Sequence, residues 1–221
     1  MTQSAASALQ TERQNLDPTV HTSDTQIFAE GFPIVMYLRP VIELTDDQFF
    51  EFCQINRDLR IERTAQGELL IMPPTGGETG ERNAEITMQL RLWAKQDGTG
   101  ATFDSSTGFV LPNEAARSPD AAWVARSRLT ALTAEQRKKF LPLCPDFALE
   151  LRSPTDSLTA VQAKMQEYLD TGARLGWLID PEQRRVYVYR PQTPVEILEN
   201  PEAVSGDPIL PGFTLDLREI W

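Results

Sequence analysis

Apolar residues at helical spacing follow Thr45, a residue type that commonly caps helix N-termini. The buried side of this short helix is expected to consist of Phe49, Phe50, Phe52 and Ile55. Residues 60–64 and 68–72, RIERT and ELLIM, then form two strand-like runs on either side of a Gly-containing turn at residues 65–67. The pattern predicts a helix followed by a β-hairpin.

Two further stretches have the 3.6-residue period of an amphipathic helix. The first extends to about Asp97, with Thr79 as a candidate N-cap. Its apolar positions are Ile86, Leu90, Trp93 and Ala94. The second spans roughly residues 158–171 and stops at Gly172, a residue type favoured just past a helix end. The pattern therefore predicts one longer helix in each half of the chain.

Short β-like runs, punctuated by Gly and Pro, occupy most of the remaining chain. They are ATFD, GFVL, AAWV, DFALELRS, RLGWLID, RRVYVYR and VEILEN. The stretch TAEQRKKF has helical character, and the tail GFTLDLREIW is expected to pack back on the body. This order predicts an α+β or α/β fold with a mixed central β-sheet flanked by helices, and with an N-terminal helix and hairpin. Residues 1–38 are expected to form a flexible polar tail and residues 39–221 a single domain.

Composition excludes several kinds of site. The 221 residues include one histidine, His21 in the predicted tail, and two cysteines far apart, Cys53 and Cys144. This set excludes a His/Cys zinc site and a serine–histidine triad. Because no disulfide is needed, a reduced, cytoplasmic setting is expected. The sequence contains no run of 18 apolar residues and no apolar leader, so neither a membrane partner nor a signal peptide is expected.

Two carboxylates stand out by their surroundings. Asp120 follows Pro119 and opens the run AAWV, which places this acid at the rim of the sheet. Strand alternation in DFALELRS puts Glu150 on the face opposite the three large apolar residues. Because this strand has the character of a central strand covered on both faces, its carboxylate must be paired or bound to a metal. A structural salt bridge between Glu150 and Arg152, or another cation, is the competing interpretation.

Lys164 is a third candidate, because it lies on the apolar face of its predicted helix. That face also contains Val161, Met165 and Tyr168. A lysine in this position either extends to solvent or reaches a partner at the end of the sheet. The loop SPTDS joins the strand of Glu150 directly to this helix, which places Lys164 within reach of Glu150.

The strings SPDAAWV, DFALELRSPTDSLTAVQAKMQEYLDTGARLGWLIDP and VYVYRP resemble the Uma-type putative restriction endonuclease family, formerly domain of unknown function 820. The resemblance covers about residues 40–215 and implies the PD-(D/E)XK nuclease fold. It implies Pro119-Asp120 as the PD element and Glu150 as the acidic residue of (D/E)XK. Arg152 stands where the motif has lysine, and arginine cannot serve as a general base. The resemblance therefore assigns the displaced amine to Lys164.

A metal-dependent endonuclease that hydrolyses the phosphodiester bonds of nucleic acid, with DNA as the expected substrate, is what the resemblance implies. Mg²⁺ or Mn²⁺ is then the expected cofactor, held by Asp120, Glu150 and the backbone carbonyl of Leu151. Glu78 or Glu85 is a further candidate ligand, although the dipole of the helix also explains an acid at position 78.

In the implied mechanism, Lys164 positions the attacking water or helps to deprotonate it, and Arg152 binds a phosphate oxygen. A homodimer is expected by analogy with nucleases that cut both strands. The net charge of −11 argues for weak or transient contact with nucleic acid unless the surface has a basic patch.

Three alternatives remain open. A nuclease-fold protein with a weakened site, acting as a nucleic-acid or protein binding module, is favoured by Arg152 and by the acidic net charge. A glycosidase would use an acid pair but needs stacked aromatic side chains, of which the predicted loops have few. In a purely structural protein, Glu150 would only form an ion pair with Arg152 or Lys164.

Overall fold

The computed structural model describes residues 33–221, which contain thirteen β-strands and four α-helices. The strands are β1 (Ile34–Met36), β2 (Arg60–Arg63), β3 (Leu69–Met72), β4 (Gly100–Asp104), β5 (Phe109–Val110), β6 (Ala116–Arg117), β7 (Ala121–Ala125), β8 (Phe147–Leu151), β9 (Leu175–Asp180), β10 (Arg185–Tyr189), β11 (Glu196–Glu199), β12 (Ala203–Ser205) and β13 (Thr214–Asp216). The helices are α1 (Asp46–Ile55), α2 (Gly77–Asp97), α3 (Arg126–Thr130) and α4 (Leu158–Asp170).

A six-stranded mixed sheet in the order β11-β10-β9-β8-β7-β4 forms the central layer. Strand β8 pairs in parallel with β9 and antiparallel with β7. Helix α4 connects β8 to β9, because parallel neighbours need a crossover between them. The predicted α+β class with a mixed central sheet is confirmed.

Different helices cover the two faces of the central sheet. On one face, Leu149 of β8 belongs to an apolar cluster with Leu90 of α2. On the other face, Ala148 belongs to a cluster with Met165 of α4. All five residues of β8 are buried, as the sequence predicted for a central strand. A charged side chain on this strand is withdrawn from water and must find a partner inside the protein.

A second sheet has the order β1-β3-β2-β6-β5. Its β2–β3 hairpin confirms the predicted hairpin, with Ile61 opposite Ile71. Strand β6 pairs with β2 through Arg63 and Ala116. This pairing brings the segment that leads to Asp120 alongside β2, and so links the hairpin to the start of β7.

Strand β1 corrects the predicted boundary of the tail at residue 38. Residues 34–36 pair antiparallel with 69–71 of β3. Three consecutive apolar residues at an edge can complete a ladder there, since the open side of β3 offers unpaired backbone groups. Residues 1–32 lie outside the described residues, so the predicted tail there stays a prediction.

Helix α1 begins as predicted. The Thr45 hydroxyl accepts a hydrogen bond from the Gln48 N–H, and the Gln48 side chain accepts one from the Thr45 N–H. Phe49 is fully buried, and Phe50 and Phe52 are half-buried. Ile55 is 79% exposed, so its predicted burial is wrong. It is the last residue of the helix, where the chain already turns away from the core.

Thr79 is not the N-cap of α2. The helix starts at Gly77, because the Gly80 N–H already bonds to the Gly76 carbonyl. The predicted apolar face of α2 is confirmed, with three positions buried and Trp93 half-buried.

The stretch 133–140 forms only a 3₁₀ turn at Gln136–Lys138, whereas the short helix α3 directly after β7 was not predicted. Helix α4 has nearly the predicted bounds. The C-terminal tail packs back as expected, with Phe213 and Ile220 buried in the cluster of Leu149. Across residues 33–221, no helix combines the length and apolar character that a membrane crossing requires.

Gly100, at the start of β4, is expected to be essential for packing. A Cβ at this position would lie 2.2 Å from Cε2 of Trp123, which is buried. Gly100→Ala should therefore lower the free energy of unfolding by about 2 kcal/mol, because the indole must shift within a close-packed core. Urea denaturation followed by tryptophan fluorescence measures this loss.

Gly80→Ala is the matched control. Its nearest contact for an added Cβ is Thr75 at 4.0 Å, and the position lies inside α2. This variant should gain up to about 1 kcal/mol from helix propensity. Equal stability of the Gly100 variant and the wild type would contradict the packing of Trp123 against the strand.

Candidate active site

The backbone of β8 holds the two predicted acids together. Asp120 immediately precedes β7, and pairing between β7 and β8 begins at Ala121 opposite Leu149. One step further along, Oδ2 of Asp120 accepts a hydrogen bond of 2.9 Å from the Leu151 N–H. The carboxylate thus continues the ladder beyond the end of the strand. Glu150 is the neighbouring residue in β8, and both acids are buried.

Helix α4 contributes two side chains to Glu150. The Tyr168 hydroxyl donates to Oε1 of Glu150 over 2.9 Å, and Nζ of Lys164 lies 2.9 Å from the same oxygen. Both donors lie on one face of α4, because positions four apart are neighbours on a helix. The structure therefore places Lys164 beside Glu150, where the sequence predicted it.

Arg152 lies outside this group. It pairs with Asp180 at 2.8 Å and with Glu182 at 3.3 Å, and its Nε donates to the Asp156 carbonyl. Of the two ion pairs expected for Glu150 as alternatives, the one with Arg152 is therefore wrong, whereas the one with Lys164 is present. Asp180 ends the parallel neighbour β9 and is fully buried, so it requires a cation at the same end of the sheet.

Glu62 belongs to the site but was missed by sequence reasoning. It is buried on β2, and its Oε1 accepts from Nζ of Lys164 at 2.9 Å and from the Ser118 N–H at 3.0 Å. Oε2 accepts from Arg117 at 3.2 Å. The only local signal is a charged residue among the alternating positions of RIER, which is equally typical of a solvent-exposed strand face.

Two arginines complete the network. Arg117 binds Glu62 and also donates from Nε to Glu167 of α4 over 2.6 Å. Arg60, at the start of β2, donates to the Ser118 carbonyl at 2.8 Å and lies 3.4 Å from Oδ1 of Asp120. The hairpin, the start of β7, β8 and α4 thus meet in one cluster of alternating charges.

The pKa values of both predicted acids are raised. Burial raises the pKa of Glu150 to about 7, and the charges of Asp120 and Glu62 add to this rise while Lys164 opposes it. Burial also raises the pKa of Asp120, although Arg60 opposes the shift. Two carboxylates that share a site repel each other, and a positive charge placed between them relieves the repulsion.

The pKa values of Glu62 and Lys164 shift in the directions that keep both groups charged. Burial alone would raise the pKa of Glu62, but Lys164 and Arg117 lower it to about 2. Burial lowers the pKa of Lys164, and Glu150 and Glu62 more than compensate, so the net shift is upward. At neutral pH, Lys164 is therefore an ammonium ion and Glu62 a carboxylate.

Asp120 and Glu150 fit the donor set that a hard divalent cation takes. Within residues 33–221, Oε2 of Glu150 makes no hydrogen bond, and the sole side-chain partner of Oδ1 of Asp120 is Arg60 at 3.4 Å. No cluster of three or more His, Cys, Asp or Glu side chains in the described residues has metal-binding geometry. Mg²⁺ nevertheless binds through one or two carboxylates and keeps several waters, so a two-acid site suits it.

The remaining predicted ligands have other positions. Glu78 pairs with Arg82 at 3.6 Å, and Glu85 accepts from Gln89 at 2.8 Å, all on α2. Helix α2 covers the sheet face opposite α4, so neither acid joins the hydrogen-bonded group around Glu150. Their role as outer ligands, like that of the Leu151 carbonyl, stays a prediction.

Comparison with known proteins places this geometry in context. The model of the Uma2 family, described as a putative restriction endonuclease, matches residues 46–218. A crystal structure of a putative nuclease belonging to DUF820 from Anabaena variabilis ATCC 29413 has a TM-score of 0.64 to this chain, with 21% identity. The match covers 80% of this chain and 97% of that chain. Among curated proteins, none matches.

Glu150→Gln should change how stability depends on pH. Because the folded protein raises the pKa of Glu150 from 4.5 to about 7, this group contributes stability that is full below pH 4.5 and lost as pH rises through 7. Between about pH 5 and about pH 8.5, the free energy of unfolding of the wild type should fall by roughly 3 kcal/mol relative to that of the variant. Urea denaturation of metal-free protein at both pH values measures the difference.

Glu196→Gln on β11 is the control, because Glu196 is exposed. It should follow the pH dependence of the wild type. Parallel curves for the wild type and Glu150→Gln would mean that Glu150 is ionised across this range and that its neighbours compensate its burial fully.

Glu62→Gln should destabilise the fold at neutral pH by about 3 kcal/mol, because it leaves Lys164 and Arg117 opposite a neutral amide. The loss should shrink as pH falls from 4.5 toward 2, where Glu62 itself becomes protonated. Glu199→Gln removes an exposed partner of Arg185 and should leave the urea midpoint unchanged. A Glu62 variant as stable as this control would show that the buried pair adds no net stability.

Proposed function

The chain belongs to the Uma2 family of putative restriction endonucleases, and we propose that it is a Mg²⁺-dependent endonuclease that hydrolyses phosphodiester bonds of DNA. A nuclease is the activity that family and fold support. Metal dependence and the DNA substrate are the further content of the proposal. Assembly as a homodimer belongs to the proposal too, by analogy with nucleases that cut both strands of a duplex.

One observation carries the proposal. Asp120 and Glu150, two buried acids with raised pKa values, lie at the same end of the central sheet, and the Lys164 ammonium lies 2.9 Å from Glu150. Buried acids with perturbed pKa values next to a cation are characteristic of catalytic sites. The arrangement matches the role of the acids and the amine in the PD-(D/E)XK pattern.

The chain's own residues would hold the cation. Asp120 and Glu150 would be the ligands, together with the backbone carbonyl of Leu151, the last residue of β8. Bound Mg²⁺ supplies Lewis acidity, which neutralises charge on the phosphate and makes water more acidic. Positive charge at this position would also offset the repulsion by Asp120 and Glu62, which adds to the effect of burial on the pKa of Glu150.

Lys164 acts as an ammonium donor, not as a base. Its raised pKa keeps it protonated at neutral pH, so it orients water or phosphate oxygens and offsets developing negative charge. In the reaction a bond forms between the water oxygen and phosphorus, and the phosphorus–oxygen ester bond breaks. The proton lost by water replaces phosphorus on the leaving oxygen, which gives a phosphate monoester and a hydroxyl group.

The position of Arg152 bears on the competing function, a binding module with a weakened site. The arginine in place of the motif lysine favoured that alternative, but Arg152 pairs with Asp180 and Lys164 takes the place beside the acids. The acidic net charge of −11 is the observation that still favours it. Metal binding without cleavage would identify such a protein.

Asp120→Asn should abolish Mn²⁺ and Mg²⁺ binding in titration calorimetry and lower cleavage of supercoiled plasmid at least about 100-fold. The substitution removes the charged ligand but preserves an oxygen that can accept from the Leu151 N–H. Asp216→Asn, at a half-buried position paired with Arg218 and away from Asp120, is the control and should behave like the wild type.

Three outcomes distinguish the functions. Metal-dependent cleavage by the wild type and by Asp216→Asn, lost in Asp120→Asn, supports the nuclease. Metal binding without cleavage of plasmid or single-stranded DNA supports the binding module. Cleavage that persists in Asp120→Asn, or in EDTA, contradicts the proposed site.

A further inference from the structure

Arg60 differs from the other cations of the site because it makes few hydrogen bonds and only one long contact with a carboxylate. Its guanidinium makes one good hydrogen bond, 2.8 Å to the Ser118 carbonyl, and one long contact of 3.4 Å to Oδ1 of Asp120. Its Nε is buried and has no hydrogen-bond partner among the described residues. An arginine carries five N–H donors, so most of its donor capacity is unused.

The other cations are each bound to two carboxylates. Lys164 lies 2.9 Å from both Glu62 and Glu150, and Arg117 binds Glu62 and Glu167 at 3.2 and 2.6 Å. Their side chains are 15% and 10% exposed, whereas that of Arg60 is 35% exposed. Arg60 is thus the cation of this group that reaches both the buried acids and the solvent.

Asp120 cannot serve Arg60 and a divalent cation equally well. Its Oδ2 is held by the Leu151 N–H, so Oδ1 is the oxygen that faces Arg60 and remains for a metal. A guanidinium and a divalent cation at one oxygen repel each other. The bond to the Ser118 carbonyl anchors Arg60, so the displaced guanidinium stays next to the site.

We propose that Arg60 is the phosphate-binding residue of this site. It pairs with Asp120 while no metal is bound, and when a metal binds it exchanges this contact for an oxygen of the phosphate beside that metal, while its bond to the Ser118 carbonyl remains. This inference rests on the proposed nuclease function and adds to it the residue that contacts the substrate. It also gives Arg60 the role that the sequence assigned to Arg152. Planar N–H donors suit phosphate oxygens, and a charged phosphate replaces the charge of Asp120 as partner.

Two substitutions separate the two parts of this role. Arg60→Met removes the charge at similar length, and Arg60→Lys keeps the charge but removes the forked donors. Arg190→Met is the matched control, because Arg190 is 34% exposed and pairs with a single carboxylate, Glu196, on the distant edge strand. Circular dichroism and thermal melting confirm that each variant is folded.

The first measurement is titration calorimetry with Mn²⁺ and no nucleic acid. Arg60→Met should bind Mn²⁺ at least about fivefold more tightly than the wild type, because a competing positive charge has left Asp120. Arg60→Lys should lie between the two. A role that is only structural would weaken metal binding or leave it unchanged, so the direction of the shift is decisive.

The second measurement is binding of a fluorescent DNA duplex, with Ca²⁺ in place of Mg²⁺ and in parallel with EDTA. Arg60→Met should lose about tenfold in affinity with Ca²⁺ and almost none in EDTA, where Arg60 of the wild type is held by Asp120. The slope of log affinity against log salt concentration should fall by about 0.9 with Ca²⁺, as expected for one lost phosphate contact. Arg190→Met should match the wild type in both conditions.

The outcomes separate this inference from the proposed function. Tighter Mn²⁺ binding together with weaker metal-dependent DNA binding supports the role of Arg60, whether or not the wild type cleaves DNA. Unchanged or weaker Mn²⁺ binding by Arg60→Met, in a wild type that binds metal and cleaves DNA, overturns the role of Arg60 alone. A wild type and an Arg60→Met variant that both fail to bind Mn²⁺ overturn the inference and the metal dependence together.

Discussion

The rest of this structure depends on the ion pairs that the Lys164 ammonium forms with two carboxylates. The ammonium lies 2.9 Å from a carboxylate of the hairpin, Glu62, and 2.9 Å from one of the central sheet, Glu150. All three groups are largely withdrawn from water, where a charge left without a partner costs several kcal/mol. The second sheet, helix α4 and the central sheet must therefore adopt their relative positions together, because none of the three charges is tolerable alone.

This constraint makes the hairpin part of the candidate site. Strand β2 supplies Glu62 and Arg60, and both reach the segment around Ser118 that leads to Asp120. Asp120 thus receives its counter-charge from a strand far away in sequence, whereas Glu150 receives its own from helix α4. The net charge of −11 describes the whole chain, whereas the charges around these residues alternate in sign. In the proposed function, nucleic acid would meet Arg60 at the edge of this cluster rather than the average surface.

The site shifts the pKa values of Glu62 and Glu150 in opposite directions. Two cations hold the pKa of Glu62 far below its ordinary value, whereas burial and neighbouring acids raise that of Glu150. Glu62 therefore acts as the permanent partner of Lys164, whereas Glu150 ionises less readily than an ordinary glutamate. Such divergence between neighbouring carboxylates is a common way to divide structural and chemical roles. The cost in stability at Glu150 is the kind of local conflict that functional sites retain.

Local periodicity determined the parts of the site that lie within one element or its immediate neighbour. Strand alternation placed Glu150 on the face toward α4, helical phase placed Lys164 beside it, and the order of strand, loop and helix joined them. Only the tertiary structure decided which charges meet across the two sheets. Lys164 and Glu62 are 102 residues apart, and Arg60 and Asp120 are 60 apart. A strand pattern encodes which face is buried but not which distant side chain faces it, because sheet packing sets that choice.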